Sequence, residues 1–161
     1  MTLLYRHPRF NEHETGNHPE SAVRLVYIQK ALDSSGAADR CVESTWPAAS
    51  DATLQRVHPE GHVAQIERLA AAGGGRIDPD TVVSPASADV ARLAAGAVSD
   101  AVTRVALGED HTAFCLVRPP GHHALAARAM GFCLFNNVAV GAATDLKMCE
   151  LDRVLIVDWV V

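Results

Sequence analysis

The chain has 161 residues, of which 48% are hydrophobic and 20% charged, a composition typical of one globular domain and not of a disordered or fibrous protein. Its net charge of -5 comes from acidic and basic residues mixed along the sequence, which leaves no basic stripe for direct nucleic-acid binding. The four cysteines form no Cys-x-x-Cys pair, and there is neither a signal peptide nor an apolar run of about 18 residues, so we expect a cytoplasmic protein without membrane contact.

The first part of the chain predicts a strand, a loop, a helix and a second strand. The apolar run Thr2–Tyr5 is typical of a strand, and a polar, histidine-rich loop follows over residues 6–20. From Ser21 the apolar residues keep helical spacing as far as Gly36, which can end a helix in the left-handed conformation. Residues 41–46 are consistent with a second short strand.

Helices dominate the middle of the sequence. Ser50–Asp51 and Pro59 are typical starts of two short helices, and we interpret the run Gly73–Gly75 that follows them as a flexible connector. From about Ser87, a stripe of alanine, valine and leucine residues predicts a long helix that ends at Gly108.

The last third alternates strand, helix and strand. Thr112–Val117 and Val154–Val157 are continuous apolar runs, and a helical stretch from about Leu134 to Cys149 lies between them. Runs without polar alternation indicate parallel strands that are buried on both faces. We therefore predict an α/β fold, a parallel sheet flanked by helices, with the strand Val154–Asp158 inside the sheet.

Two adjacent histidines lie where such a sheet places its chemistry. Arg118–Ala124 directly follows one strand and Asp158 ends another, and ligands of parallel α/β sheets bind at the carboxyl ends of the strands. Two prolines stiffen the first loop and Gly121 permits a turn that other residues would strain, so His122 and His123 take a set orientation. Two imidazoles can supply the general base and acid of amide hydrolysis; the alternative is a connecting loop with solvated histidines.

Three segments, in this order and spacing, resemble the histone deacetylase superfamily, which includes bacterial acetylpolyamine amidohydrolases. They are Arg118–Ala124, Gly131–Asn137 and Arg153–Trp159, and weaker matches cover most of the remaining chain. The resemblance implies an arginase/deacetylase-type fold, with residues 1–161 as the N-terminal portion of a single deacetylase domain that is incomplete at its C-terminal end. It also implies hydrolysis of N-acetyl amide bonds, with acetyl-lysine in a protein, an acetylated polyamine or another small acetylated amine as substrate.

The resemblance implies a role for each matching residue. His122 is similar to the family histidine that pairs with an aspartate and stabilises the transition state, and His123 is similar to the general base that acts on zinc-bound water. Asp158 resembles the aspartate that orients the first histidine and contacts a structural potassium ion. The resemblance also implies three substrate-binding residues. Gly131 and Phe132 correspond to the walls of a narrow channel, and Asp80 corresponds to an aspartate at its rim.

The zinc ligands of the family pattern are not matched. Val160 stands where the pattern has a zinc-binding aspartate, and the other ligands of the pattern have no counterpart in the sequence. Catalytic zinc needs about three protein ligands, so we expect zinc in the complete family domain but not in this chain, which we expect to be inactive. Because the strand Val154–Asp158 would lack neighbours, we also expect self-association.

Two alternatives stay open. The chain could be a metal-free pseudo-enzyme or an interaction fragment that binds acetylated ligands or a partner through its channel wall. A manganese ureohydrolase with the same general fold is the other alternative, and the Pro-Pro-Gly-His-His sequence at residues 119–123 argues against it.

Overall fold

The computed structural model describes residues 1–160, in which five strands and five α-helices follow one another along the chain. Within these residues no helix is both long and apolar enough to cross a lipid bilayer. The strands are β1 (Thr2–Arg6), β2 (Cys41–Glu43), β3 (Gly75–Asp78), β4 (Thr81–Val83) and β5 (Thr112–Leu116). The helices are α1 (Ala22–Ser34), α2 (Asp51–Leu54), α3 (Glu60–Ala71), α4 (Ser87–Ala106) and α5 (Asn137–Met148).

A three-stranded parallel sheet has β1 at its centre. β1 pairs with β2 on one side and with β5 on the other, in the order β2-β1-β5. Both faces of β1 are buried: Leu4 belongs to an apolar cluster with residues of α1 and α4, and Leu3 and Tyr5 belong to a second cluster with α4. Burial on both faces explains the unbroken apolar run in the sequence. The predicted α/β class, with a parallel sheet flanked by helices, is confirmed.

Local capping residues decide where the helices end. α1 and α4 end two residues before Gly36 and Gly108, the glycines at which the sequence predicts their ends. The φ angles of these glycines, +68° and +79°, are left-handed, as predicted for Gly36. The start of α5 lies three residues later than the predicted start near Leu134. The side chain of Asn136 accepts a hydrogen bond from the backbone N–H of Ala139 and so caps the helix at this point.

The predicted flexible connector at Gly73–Gly75 is wrong, because these residues lead into a β-hairpin. The last of the three glycines begins β3, which pairs antiparallel with β4. A side chain at Gly74 would collide with the backbone carbonyl of Val83. At the turn, the Asp78 carboxylate accepts a hydrogen bond from the backbone N–H of Asp80. The hairpin places Asp80 at an exposed tip.

The predicted strand Val154–Asp158 is also wrong. These residues have no strand partner among residues 1–160, and Leu155 and Val157 are 85% and 58% exposed. A strand forms only where a neighbour accepts and donates its backbone hydrogen bonds. In the described part of the chain, the outer edge of β5 borders a groove of about 840 Å³ between α4 and α5, and no further strand.

A buried ion pair joins the loop before α1 to the end of β5. The side chains of Arg118 and Glu20 are 4% and 3% exposed, and Nε and Nη2 of Arg118 donate hydrogen bonds of 2.5 and 2.9 Å to the carboxylate. The guanidinium also donates to the backbone carbonyls of Phe10 and His13. The Nδ1 atom of His13 lies 2.7 Å from Oγ of Ser87, at the start of α4. These contacts hold an irregular loop against the sheet.

His13 should make the stability of the fold sensitive to acid. Burial lowers the pKa of His13 from 6.5 to about 4, and the nearby Glu20 carboxylate opposes this only in part. The unfolded chain therefore takes up a proton near pH 6.5 that the folded chain excludes down to about pH 4. The free energy of unfolding should be highest above this window and decrease by up to about 3 kcal/mol as the pH falls through it. Urea denaturation at a series of pH values measures the slope.

The matched variant for this measurement is His13→Asn. Its amide can keep a hydrogen bond to Ser87 but does not titrate, so the decrease in stability between neutral pH and about pH 4 should become shallower. An equally steep decrease in the variant would show that other groups cause the acid sensitivity.

The open edge of β5 should make the chain associate. Phe114 on this strand is 43% exposed, and unpaired strand edges with apolar neighbours invite pairing with another chain. We expect concentration-dependent association in sedimentation velocity, and we expect Phe114→Lys to reduce it because lysine blunts strand edges. Tyr27→Lys, at a 68% exposed position of α1, is the control and should change nothing. A monodisperse monomer at all concentrations would contradict the prediction.

Candidate active site

The loop between β5 and α5 brings two histidine rings together at the carboxyl end of the sheet. The rings of His122 and His123 are T-shaped with centroids 4.1 Å apart, and His123 is the more exposed. The predicted reason for Gly121 is wrong, because this residue does not adopt a positive φ. A Cβ there would lie 2.8 Å from the carbonyl oxygen of Phe135 and would collide with the backbone nitrogen of Asn137. Close packing against the start of α5 is what requires glycine.

Asp158 lies beside His122. The distance from Nδ1 of His122 to Oδ2 of Asp158 is 3.6 Å, and the two side chains are 27% and 50% exposed. This separation is too long for a strong hydrogen bond, but it places a carboxylate beside the edge of the ring that carries Nδ1. The other carboxylate oxygen of Asp158 accepts a hydrogen bond of 3.1 Å from the backbone N–H of Val160. The two predicted residues therefore meet, although Asp158 does not end a strand.

A cleft of about 440 Å³ connects His123 with the hairpin of β3 and β4. Two residues predicted to bind substrate, Asp80 and Gly131, lie in this cleft together with His123. Phe132, the third, packs its ring edge-on against His18 at a centroid distance of 4.7 Å. The residues that line the cleft are Asp78, Pro79, Asp80, His123, Met130 and Gly131.

The backbone at Gly131 lies directly against the imidazole of His123. Gly131 and Phe132 have φ angles of +57° and +68°, so the chain makes a left-handed turn here. A Cβ on Gly131 would lie 2.7 Å from Cδ2 of the His123 ring and 2.8 Å from Cγ, which is closer than real Cβ atoms approach. The absent side chain therefore provides the space in which the His123 ring sits.

The described residues do not form a zinc site. Among residues 1–160 there is no group of three or more histidine, cysteine, aspartate or glutamate side chains that could hold a metal ion. Val160 has a hydrocarbon side chain and cannot donate an electron pair to a metal. Catalytic zinc is held by about three protein ligands, so the side chains present do not fit this ion.

Several buried polar side chains hold the loop in place. Asn136 and Asn137 satisfy backbone groups: their side-chain amides donate hydrogen bonds to the carbonyls of Ala124 and Pro119 at 3.0 and 3.1 Å. Sequence reasoning missed the contribution of His58 and His62, which are 0% and 4% exposed and bond to the same loop. The sequence assigned no role to either residue, although both lie in short segments, Val57–His58 and His62–Val63, that belong to the resemblance to the histone deacetylase superfamily.

Gly131→Ala should displace the His123 ring, and Gly16→Ala is its control. Both glycines have positive φ, but a Cβ on Gly16 would meet nothing within 4 Å. Both substitutions should therefore cost about 1–2 kcal/mol of backbone strain, and only Gly131→Ala should add about 1–3 kcal/mol from steric overlap. Urea denaturation measures the two losses, and NMR of the His123 imidazole reports the displacement. Equal losses with an unmoved His123 signal would refute the packing argument.

Comparison with known proteins assigns the family. The sequence profile of the histone deacetylase domain matches residues 18–161. The chain is 40% identical to the histone deacetylase-like amidohydrolase of Pseudomonas aeruginosa, over 88% of this chain and 37% of that protein. It is 35% identical to a probable deacetylase of Methanothermobacter thermautotrophicus, over 98% of this chain and 46% of that protein.

The fold of a solved structure agrees with these matches. The crystal structure of the HDA15 HD domain is similar to this chain with a TM-score of 0.84 and 35% identity, over 89% of this chain and 43% of that one. The chain thus spans about half the length, or less, of the proteins it matches. A family profile over most of the sequence, together with this fold, shows that the chain belongs to the histone deacetylase family.

Proposed function

We propose that this chain carries the acid–base pair and part of the substrate channel of an enzyme that hydrolyses N-acetyl amide bonds. The observation that supports this most is the cleft that His123 shares with Asp80 and Gly131, next to the pair formed by His122 and Asp158. Membership of the deacetylase family supports the same reaction. The proposed substrates are acetyl-lysine in a protein and acetylated polyamines or other small acetylated amines.

The two histidines suit different steps. His123 is exposed and lines the cleft, so a water molecule can reach its ring. In its neutral form it would take the proton of this water during attack on the amide carbonyl and later deliver it to the leaving amine. The Asp158 carboxylate lies 3.6 Å from Nδ1 of His122. We therefore assign His122 the other role, a hydrogen bond from its second ring nitrogen to the carbonyl oxygen that stabilises the negative charge developing there.

The cleft favours a slender substrate with positive charge nearby. At Gly131 the wall is bare backbone, which leaves room for an unbranched acetylated chain beside His123. Asp78 and Asp80 both line the cleft, and their carboxylates attract cationic groups and accept hydrogen bonds from N–H donors. These properties fit the amine-rich neighbourhood of an acetylated polyamine or of a lysine-rich peptide.

We assign zinc to the complete domain and not to this chain. The residues at hand do not fit the ion, and Val160 takes the position of one proposed ligand. The remaining ligands would come from the part of the domain that the relatives have and this chain does not span. The chain alone is then inactive, and a potassium contact of Asp158 likewise belongs to the complete domain.

The second candidate is a metal-free protein that binds acetylated ligands or a partner without hydrolysing them. The side chain of Val160 and the lack of a metal-binding group within residues 1–160 favour it. The two candidates differ in what happens when the domain is completed: an enzyme gains turnover, whereas a binding protein gains none.

Four versions of the protein test the proposal. They are the chain as it stands, Val160→Asp, a fusion to the C-terminal part of the Pseudomonas aeruginosa relative, and the same fusion with Val160→Asp. Only the last should hold near-stoichiometric zinc and hydrolyse a fluorogenic acetyl-lysine substrate, because a single added ligand cannot hold the ion. Comparable turnover in the fusion that keeps Val160 would overturn the ligand assignment.

In the active fusion, His123→Ala should lower kcat by about 10²–10⁴ and leave KM nearly unchanged, because a general base acts in the transition state. A loss that appears mainly in KM would contradict the role of His123 as the base.

A further inference from the structure

His58 is a fully buried histidine outside the proposed catalytic pair. It lies on the turn between α2 and α3 and is 0% exposed. Its ring stacks on His62 at a centroid distance of 4.9 Å and packs against Phe135 at 5.5 Å. A buried imidazole with both nitrogens engaged has a defined protonation state, and its partners show which one.

Both ring nitrogens of His58 bond to the backbone of the histidine loop. Nδ1 lies 2.8 Å from the carbonyl oxygen of Ala126, and Nε2 lies 2.9 Å from the backbone nitrogen of Asn136. A carbonyl can only accept a hydrogen bond and an amide N–H can only donate one. Nδ1 must therefore carry the hydrogen, and Nε2 must be the unprotonated acceptor. The contacts require the neutral imidazole, in agreement with the pKa of His58, which burial lowers.

These two hydrogen bonds hold the loop at two places, one just after His123 and one at the end of the loop, where α5 begins. Ala126 lies three residues after His123, and Asn136 is the last residue of the loop before α5. The side-chain amide of Asn136 in turn donates a hydrogen bond of 3.0 Å to the carbonyl oxygen of Ala124, the residue directly after His123. His58 thus fixes two carbonyl positions on the chain that carries His123, one directly and one through Asn136.

The other long-range contacts of the loop bind it at other points: Arg118 pairs with Glu20 at its start, and the backbone N–H of Phe132 donates a hydrogen bond of 3.4 Å to Oγ1 of Thr81. The loop's own backbone hydrogen bonds are local, between Gly121 and Ala124, between Leu125 and Arg128, and between Met130 and Cys133. His62 bonds to one carbonyl, that of Leu134, at 2.9 Å, and its Nδ1 has no partner within residues 1–160. His62 is almost as deeply buried as His58, but it holds the loop at a single point that lies farther along the chain from His123.

We propose that His58 is a positioning residue: as a neutral imidazole it clamps Ala126 and Asn136 and so holds His123 against the cleft. The inference builds on the proposed function, in which His123 is the general base. The contacts of His58 depend neither on zinc nor on turnover, so the inference can be tested on the chain as it stands.

Three substitutions separate the two bonds. His58→Asn keeps a donor where Nδ1 lies and loses the acceptor for Asn136, His58→Gln keeps an acceptor near Nε2 and loses the donor to Ala126, and His58→Phe loses both. Two measurements by mass spectrometry follow each variant. They are backbone amide exchange in peptides over residues 121–137 and the pH dependence of C2-hydrogen exchange in the His122 and His123 rings.

We expect amide exchange in these peptides to rise about fivefold in each single-bond variant and more than tenfold in His58→Phe, from the usual contribution of one hydrogen bond. The pH dependence of C2-hydrogen exchange in the His123 ring should shift most in His58→Phe and less in His58→Asn and His58→Gln. The control is His62→Gln, which removes an equally buried ring but keeps a donor for Leu134. It should leave the His123 profile as it is in the unmodified chain.

The proposal is overturned if His58→Phe leaves the ring exchange of His123 unchanged, or if it accelerates exchange equally in β1. The second result would mean that His58 only stabilises the fold as a whole. Loss of rate in the active fusion without these exchange changes would also count against the clamp. If His123→Ala leaves the rate of the fusion intact, the proposed function fails, whereas the exchange measurements still decide the role of His58.

Discussion

The ion pair of Arg118 with Glu20 is the contact on which the arrangement of the site depends. Both charges are almost completely buried, and a buried charge that loses its partner costs about 3–5 kcal/mol. The pair must therefore form whenever the sheet is covered. One residue, Val117, separates Arg118 from the end of β5, and Glu20 lies two residues before the start of α1. Pairing them brings the loops that leave β1 and β5 to the same edge of the sheet.

This constraint explains why irregular backbone can be buried at the site. The loop from β5 to α5 has almost no regular secondary structure, and its carbonyls and amides need partners from elsewhere. Side chains supply them: the guanidinium of Arg118 serves the first loop, and amide and imidazole groups serve the second. The result is a well-anchored loop that presents the rings of His122 and His123. Neither histidine lies on a strand or a helix.

The parts of the fold that follow from local pattern were predictable. β1 and β5 are unbroken apolar runs, α4 has a continuous apolar stripe, and left-handed glycines end two helices. The position of the histidine loop followed from the rule that sites lie at the carboxyl ends of parallel strands. The proximity of His122 to Asp158 came from family resemblance, since the two residues are far apart in sequence and no periodicity relates them.

What could not be predicted depends on contacts between distant residues. The apolar run Val154–Val157 has the composition of a strand, but a strand also needs a neighbour, and composition does not reveal whether one is present. The start of α5 moved because Asn136 caps it while Leu134 and Phe135 are buried ahead of the helix. Position 121 needs glycine because the backbone at the start of α5 packs against it. That backbone is too far along the sequence to be recognised from the residues around Gly121.

The central place of β1 has a consequence for how the chain folds during synthesis. One neighbour of β1 is β5, and the paired residues Thr2 and Thr112 are 110 positions apart. At about 5–20 residues per second, the ribosome needs on the order of ten seconds to produce the second partner after the first. During this interval the apolar residues of β1 can be covered on the β2 side only. The nascent chain therefore exposes one unpaired edge of β1 throughout this interval, a period in which chaperone binding would compete with premature aggregation.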